Sequence, residues 1–182
     1  SRAPEAGSLS MQPTWFPYHL SEVSGQARWL DGELVIQKLM AKHDETTIRT
    51  NISGSVSADG AWRMNMTNFA VDNLRLDNDL IHALPKGFSD TINRIDANGI
   101  FSLDGAAHFA RQNSQSPVEA GWDLAVQLDQ MSLQAGLPIN HVFGEVNMRG
   151  SSFGPQFWSR GTLNVDSMFV RGIQLTELQG PI

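Results

Sequence analysis

Apolar and polar residues alternate along most of this chain with a period of two, the spacing that sends successive side chains to opposite faces of a strand. In Trp122-Asp123-Leu124-Ala125-Val126-Gln127-Leu128, the residues Trp122, Leu124, Val126 and Leu128 share one face and Asp123, Ala125 and Gln127 the other. Trp62-Arg63-Met64-Asn65-Met66-Thr67 repeats the scheme. A helix would scatter these residues around its axis, so both segments are predicted as strands with one wet side. Turn chemistry recurs between the apolar runs at Asp31-Gly32, Asp59-Gly60, Asn98-Gly99, Asp104-Gly105 and Arg149-Gly150. Asn-Gly and Asp-Gly favour the positive backbone angles of tight turns, which predicts antiparallel hairpins at Leu30–Leu34, Val56–Trp62 and Phe101–His108. The polar run Arg111–Val118 predicts a flexible hairpin loop.

Helical signal is confined to Leu76–Arg94. Asp77 or Asp79 can cap Leu80–Leu84 before Pro85 ends the turn, and a second short helix is expected over Ser89–Ile95 with Ser89 as its cap. An apolar residue shortly before a glycine recurs at Val23-Ser24-Gly25, Ile52-Ser53-Gly54, Val142-Phe143-Gly144 and Leu178-Gln179-Gly180, but its irregular spacing argues against a propeller or solenoid. The prediction is a mainly β chain: a curved antiparallel meander sheet forming an open groove or half-barrel, with one or two short helices near residues 77–95. At the usual interstrand spacing some twelve strands would extend about 55 to 60 Å.

If such a sheet curves, Leu34, Ile36, Trp62, Met64, Met66, Trp122, Leu124, Val126 and Leu128 line its inner side. These residues form an ordinary core if a second sheet or the helices cover them. They form a groove for acyl chains if they stay open, and methionine suits irregular apolar guests. A single helical segment is expected to cover little.

Length and charge narrow the function classes. The 182 residues suit one domain, and no run of consecutive apolar residues exceeds three, which leaves no transmembrane helix. The formal charge of -6 has the wrong sign for neutralising phosphates, so nucleic acid is not an expected partner. The chain has no cysteine, which removes thiol nucleophiles and thiolate zinc sites. No two of His19, His43, His82, His108 and His141 have zinc-ligand spacing, and His43-Asp44-Glu45 reads as a polar turn. Helix-end hydrogen bonding accounts for His82 beside Asp79. Asp72, Asp77 and Asp79 concentrate acid, yet Asp77-Asn78-Asp79-Leu80-Ile81 lacks the glycine and glutamate of an EF-hand loop. There is neither a Gly-x-Ser-x-Gly elbow nor a phosphate-binding glycine loop. No catalytic residue, metal site or cofactor is expected, and a hydrolase is the weakest reading.

The stretch Val23-Ser24-Gly25-Gln26-Ala27-Arg28-Trp29-Leu30-Asp31-Gly32-Glu33-Leu34-Val35-Ile36, continuing through Leu39-Met40-Ala41-Lys42-His43 to Gly54-Ser55-Val56 and Asp59-Gly60-Ala61-Trp62, resembles AsmA-like bacterial envelope proteins. Leu74–Pro85, followed by Gly99-Ile100-Phe101-Ser102-Leu103-Asp104-Gly105, is similar to that family's helical insertion returning to a strand. The likeness runs from Val23 to Gly105 and recurs weakly from Val142 to Ile182. It implies a long sheet rolled into an open apolar groove, in relatives thought to bridge membranes and conduct phospholipid. The partners it implies are phospholipid or another acyl-chain lipid, and a membrane reached through segments outside this chain, in the periplasm or cell envelope. The family's amino-terminal anchor is not found in these residues, and residues 1–18 match nothing in it. Residues 19–182 are therefore expected to be one β-rich segment of a longer protein, preceded by an extension of unknown role. The alternative is a closed β-sandwich, a binding or adhesion module whose function lies in surface loops such as Arg111–Val118.

Overall fold

A computed structural model of the chain describes residues 9–13 and 16–182. Ten strands follow one another as β1 (Leu9–Met11), β2 (Leu20–Leu30), β3 (Glu33–His43), β4 (Thr46–Val56), β5 (Trp62–Arg75), β6 (Asn98–Arg111), β7 (Glu119–Gln134), β8 (Pro138–Phe153), β9 (Gln156–Val170) and β10 (Ile173–Pro181). Each pairs antiparallel with its neighbours in sequence, which makes one ten-stranded meander that is not closed into a barrel. Two short helices, α1 (Asn78–Ala83) and α2 (Lys86–Arg94), interrupt it between β5 and β6. A single sheet rules out the β-sandwich architecture. The ten strands, rather than twelve, span about 43 Å at an interstrand spacing of about 4.8 Å.

The turn signals divide by context. Asp31-Gly32 makes the two-residue turn from β2 to β3, with positive φ at both residues (50° and 80°). Asp59-Gly60 lies in the loop from β4 to β5, closed by a hydrogen bond from Ser57 N to Ala61 O of 2.8 Å. Arg111–Val118 does connect β6 to β7, held by the Arg111 Nε bond to Ser116 O at 2.9 Å and by Asn113 Oδ1, which accepts from two backbone amides. The expected hairpin at Phe101–His108 is absent: both ends lie within β6. Asp104-Gly105 is extended there, and Gly105 (φ 145°) approaches β7 so closely that a Cβ would lie 2.1 Å from the Asp123 carbonyl oxygen. Asn98-Gly99 opens β6 and Arg149-Gly150 is inside β8, so neither is a turn.

Long strands keep their apolar side chains on one face by means of bulges. In β5 the apolar set runs Trp62, Met64, Met66, then shifts register to Phe69 and Val71, then again to Leu74. The extra residues Asn68 and Asn73 take φ near 50°, which asparagine tolerates. Lys38 in β3, Gln130 in β7 and His141 in β8 do the same at their own register shifts. The Lys38 amide, displaced from the ladder, donates to Asn51 Oδ1 at 2.8 Å.

The helices begin where their caps allow. Asp77 caps α1, accepting from Leu80 N at 2.8 Å. Here α2 starts at Lys86, earlier than expected, because Pro85 pre-sets φ at the boundary; Ser89 is inside the helix, its hydroxyl donating to Lys86 O. Of the extension expected over residues 1–18, residues 1–8, 14 and 15 lie outside the described residues. Leu9–Met11 pairs with β2, and Tyr18 is 1% exposed.

Gly105→Ala is expected to lower stability by about 2 to 4 kcal/mol, because the new Cβ meets backbone that cannot yield. Gly136→Ala, in an open turn, should cost about 1 kcal/mol. Urea unfolding of the two variants measures the difference, and equal costs would contradict this account of Gly105.

Candidate functional site

The site with the most to offer is the apolar face of the sheet. Antiparallel partners share a face, so the register can be followed across strands. Leu34 lies opposite Gly54 and Gly54 opposite Met64, while Ile36, Ile52, Met66, Ala107 and Trp122 form one row from β3 to β7. Trp62 pairs with Val56, and Leu124, Val126 and Leu128 alternate along β7 with Trp122. All nine groove residues chosen from the sequence therefore lie on one face. Their surroundings differ: Trp122 and Val126 are buried at 7% and 8% exposure, and the other seven are half-buried.

Burial comes from a cover larger than expected. Leu80 and Ala83 of α1 join Tyr18, Val71 and Leu74 in one buried cluster. Met131, Val142 and Val165 form a second, and Leu76 and Phe101 pack against both. Over Trp122 the cover is aromatic. Phe88 of α2 lies 4.9 Å from the indole and Phe157 of β9 5.6 Å, in the stacked geometry; the two phenyl rings meet edge-on at 5.0 Å. Aromatic pairs of this kind contribute about 0.5 to 1.5 kcal/mol each beyond area burial. Trp122 rests on Gly150 of β8, where an added Cβ would come within 2.7 Å of Cε2.

Outside this cover the face is bare. Trp29, Val56 and Leu178 are 57%, 49% and 39% exposed, and each pairs with an apolar residue of the same face: Leu34, Trp62 and Val165. The sequence reading missed all three, as well as Phe88 and Phe157. Trp29 and Val56 were within reach, since each is the cross-strand partner of a chosen residue across a turn already identified.

The other face carries the ion pairs and also some exposed apolar side chains, Val35, Met40 and Trp158 among them. Arg49 pairs with Asp72 at 2.6 Å, Arg149 with Asp123 at 2.5 Å, and Gln127 donates to Glu145 at 2.5 Å. Exposed pairs of this kind contribute only about 0.2 to 1 kcal/mol each. A shallow basin of about 500 Å³ there is lined by His108, Asp123, Arg149 and Trp158 among others.

Trp122 Nε1 is a buried donor with no partner among the described residues, and the Tyr18 hydroxyl is buried beside the Thr46 side chain. A buried donor left unpaired costs about 1 to 3 kcal/mol. The Tyr18 ring packs on His43 at 4.1 Å, and His43 Nδ1 donates to the His19 carbonyl at 2.7 Å. No group of three or more His, Asp or Glu side chains that could hold a metal occurs among the described residues.

Fold and face together define an open, one-sided β-meander with an incomplete helical cover. No protein-family model, curated protein or solved structure matches the chain.

Burial pushes the Tyr18 phenol up to about 12 from its ordinary 10.0, with Thr46 opposing and Asp77, Asp44 and Asp79 adding to the rise. The folded state thus holds this proton more tightly than the unfolded chain. The resulting stabilisation, about 2 to 3 kcal/mol, is complete below about pH 10 and is lost as pH rises toward about 12. Tyr18 is the sole tyrosine, so ultraviolet tyrosinate absorbance titrates it alone. Tyr18→Phe should remove this tyrosine-linked alkaline loss of urea stability; an unperturbed phenol titration would contradict the assignment.

Proposed function

We propose that this chain is a β-groove segment of an AsmA-like envelope protein, in which phospholipid acyl chains lie against the apolar sheet face. Its role is phospholipid transport, or outer-membrane assembly and homeostasis. The observation that carries this reading is the uncovered part of the face. Trp29, Val56 and Leu178 are exposed on the same surface that buries Trp122 and Val126, and the reverse face, although it exposes Val35, Met40 and Trp158, carries the ion pairs and has no buried cluster of its own. Exposed apolar surface continuous with a core marks a place where something apolar is bound. Acyl chains suit it, since they need only a dry, non-directional contact, while their headgroups stay in water at the open edge.

The sheet's width of about 43 Å is close to the thickness of one bilayer with its headgroups, so this segment forms a section of a longer path. The protein works in the periplasm or cell envelope, held to a membrane by a segment elsewhere, and direction of transport is set outside this segment. Contact with lipid is passive, with no catalytic step.

Native mass spectrometry and lipid extraction of the purified chain should find bound phospholipid. Val56→Asp and Leu178→Asp, at exposed positions, should each reduce the lipid several-fold with little change in urea stability. Val126 is unsuitable for this purpose, because a carboxylate at 8% exposure tests the core. Lipid-free wild-type protein that also fails to take up added phospholipid would overturn the proposal.

A further inference from the structure

Trp122 is the buried tryptophan of the apolar face, and its indole is closed in by Phe88, Phe157 and Gly150. Its Nε1–H is shielded from solvent and has no acceptor among the described residues. The edge of the ring that carries Nε1 is the edge over Gly150, since Cε2 and Cζ2 are the atoms an alanine there would strike. Across the register Gly150 is followed by Ser159 of β9, an exposed residue. The donor therefore lies over the small-residue row that leads from the covered centre of the face toward β9. Aromatic packing on Phe88 and Phe157 does not itself call for the buried donor.

The helix over this site is less buried than its neighbour. No residue of α2 is buried, whereas α1 buries Leu80 and Ala83. No side chain caps α2 at Pro85; it meets the sheet through Phe88, through Gly87, which lies against the Phe157 ring, and at its C-cap, where Gln134 N of β7 donates to Ile95 O at 2.6 Å. Neither buried cluster includes a residue of α2.

We infer that Trp122 Nε1 is the polar anchor for an acyl carbonyl: a lipid enters beneath α2, its carbonyl oxygen accepts from the indole N–H, and its alkyl chain runs along the apolar face. This rests on the reading of that face as an acyl-chain surface and specifies where on it the ligand is fixed. A neutral carbonyl fits the site because it supplies one acceptor and little else to desolvate. A phosphate between Phe88 and Phe157 would lose its hydration with only one donor in return. The carbonyl can come from a phospholipid ester or from a free fatty acid.

The test follows the Trp122 indole resonance in protein labelled with nitrogen-15, identified among the five tryptophans as the peak missing in Trp122→Phe. Three probes are compared: diheptanoylphosphatidylcholine, its dialkyl ether counterpart without carbonyls, and dodecanoic acid. The expected result is a downfield shift of the Trp122 peak with a carbonyl ligand and none with the ether lipid. A shift with the diester identifies phospholipid as a source, and a shift with dodecanoic acid alone identifies free fatty acid. Trp122→Phe should weaken carbonyl-ligand binding about three- to tenfold and leave the ether lipid unaffected. Binding of carbonyl lipids with an unmoved Trp122 peak overturns the anchor while leaving the acyl-chain surface intact. Absence of binding by all three probes overturns both.

Discussion

Everything on the apolar face depends on keeping strands in phase over their whole length. A strand of 14 to 16 residues such as β5, β7 or β8 twists continuously, and its ladder cannot stay in register with both neighbours without local adjustment. An extra residue corrects the register but would, on its own, turn every later side chain to the other face. Bulges at Lys38, Asn68, Asn73, Gln130 and His141 absorb that residue in the left-handed region, so the apolar set resumes on the same side. Without the Gln130 bulge, Met131 and Leu133 would point into water and the cluster that Met131 forms with Val142 and Val165 would be lost. The conformational cost of the bulges is thus tied directly to the burial they permit.

The same constraint explains why the cover is partial. Helix α1, with six residues, is too short to persist alone and owes its existence to the Asp77 cap and to Leu80 and Ala83 docking beside Val71 and Leu74. That docking ground is the part of β5 after its first bulge. With α1 fixed there, Pro85 turns the chain and α2 crosses toward Trp122, reaching the sheet chiefly through Phe88. The two helices together cover the middle strands and leave the β2–β5 hairpin tips and β10 bare. Trp29 and Leu178 are exposed because no segment crosses those flanks among the described residues.

The sequence was legible where the phase did not change. Trp62–Thr67 and Trp122–Leu128 are uninterrupted alternating runs, and the nine residues taken from the alternation share a face. The runs were read too short for the same reason they were read at all. Asn68 and Gln130 break the alternation, and a break of phase looks like the end of a strand. Turn chemistry misled in a related way, since Asp104-Gly105 has the composition of a hairpin turn yet lies inside β6, where the glycine serves close strand approach. Burial was the least legible property. The sequence has no means of showing that Phe88, on a helix begun by Pro85, lands on Trp122, so a covered tryptophan and an open Leu34 looked alike.

The two faces differ chiefly in that the buried clusters form on one of them. Edge strand β10 carries Ile173, Leu175 and Leu178 toward the apolar side and Gln174, Thr176 and Gln179 toward the other, with Glu177 its sole charge. A soluble sheet usually protects such an edge with lysine, proline or an inward charge, since unpaired backbone beside exposed leucine invites association. Here the ion pairs are all spent on the opposite face or at the β2–β3 and α2 surfaces, where they contribute little to stability. The asymmetry is therefore poorly explained as a means of holding the fold together. The buried clusters lie on one face only, so the bare β3–β5 flank and β10 extend a surface whose centre is covered, which is the feature the proposed acyl-chain contact uses.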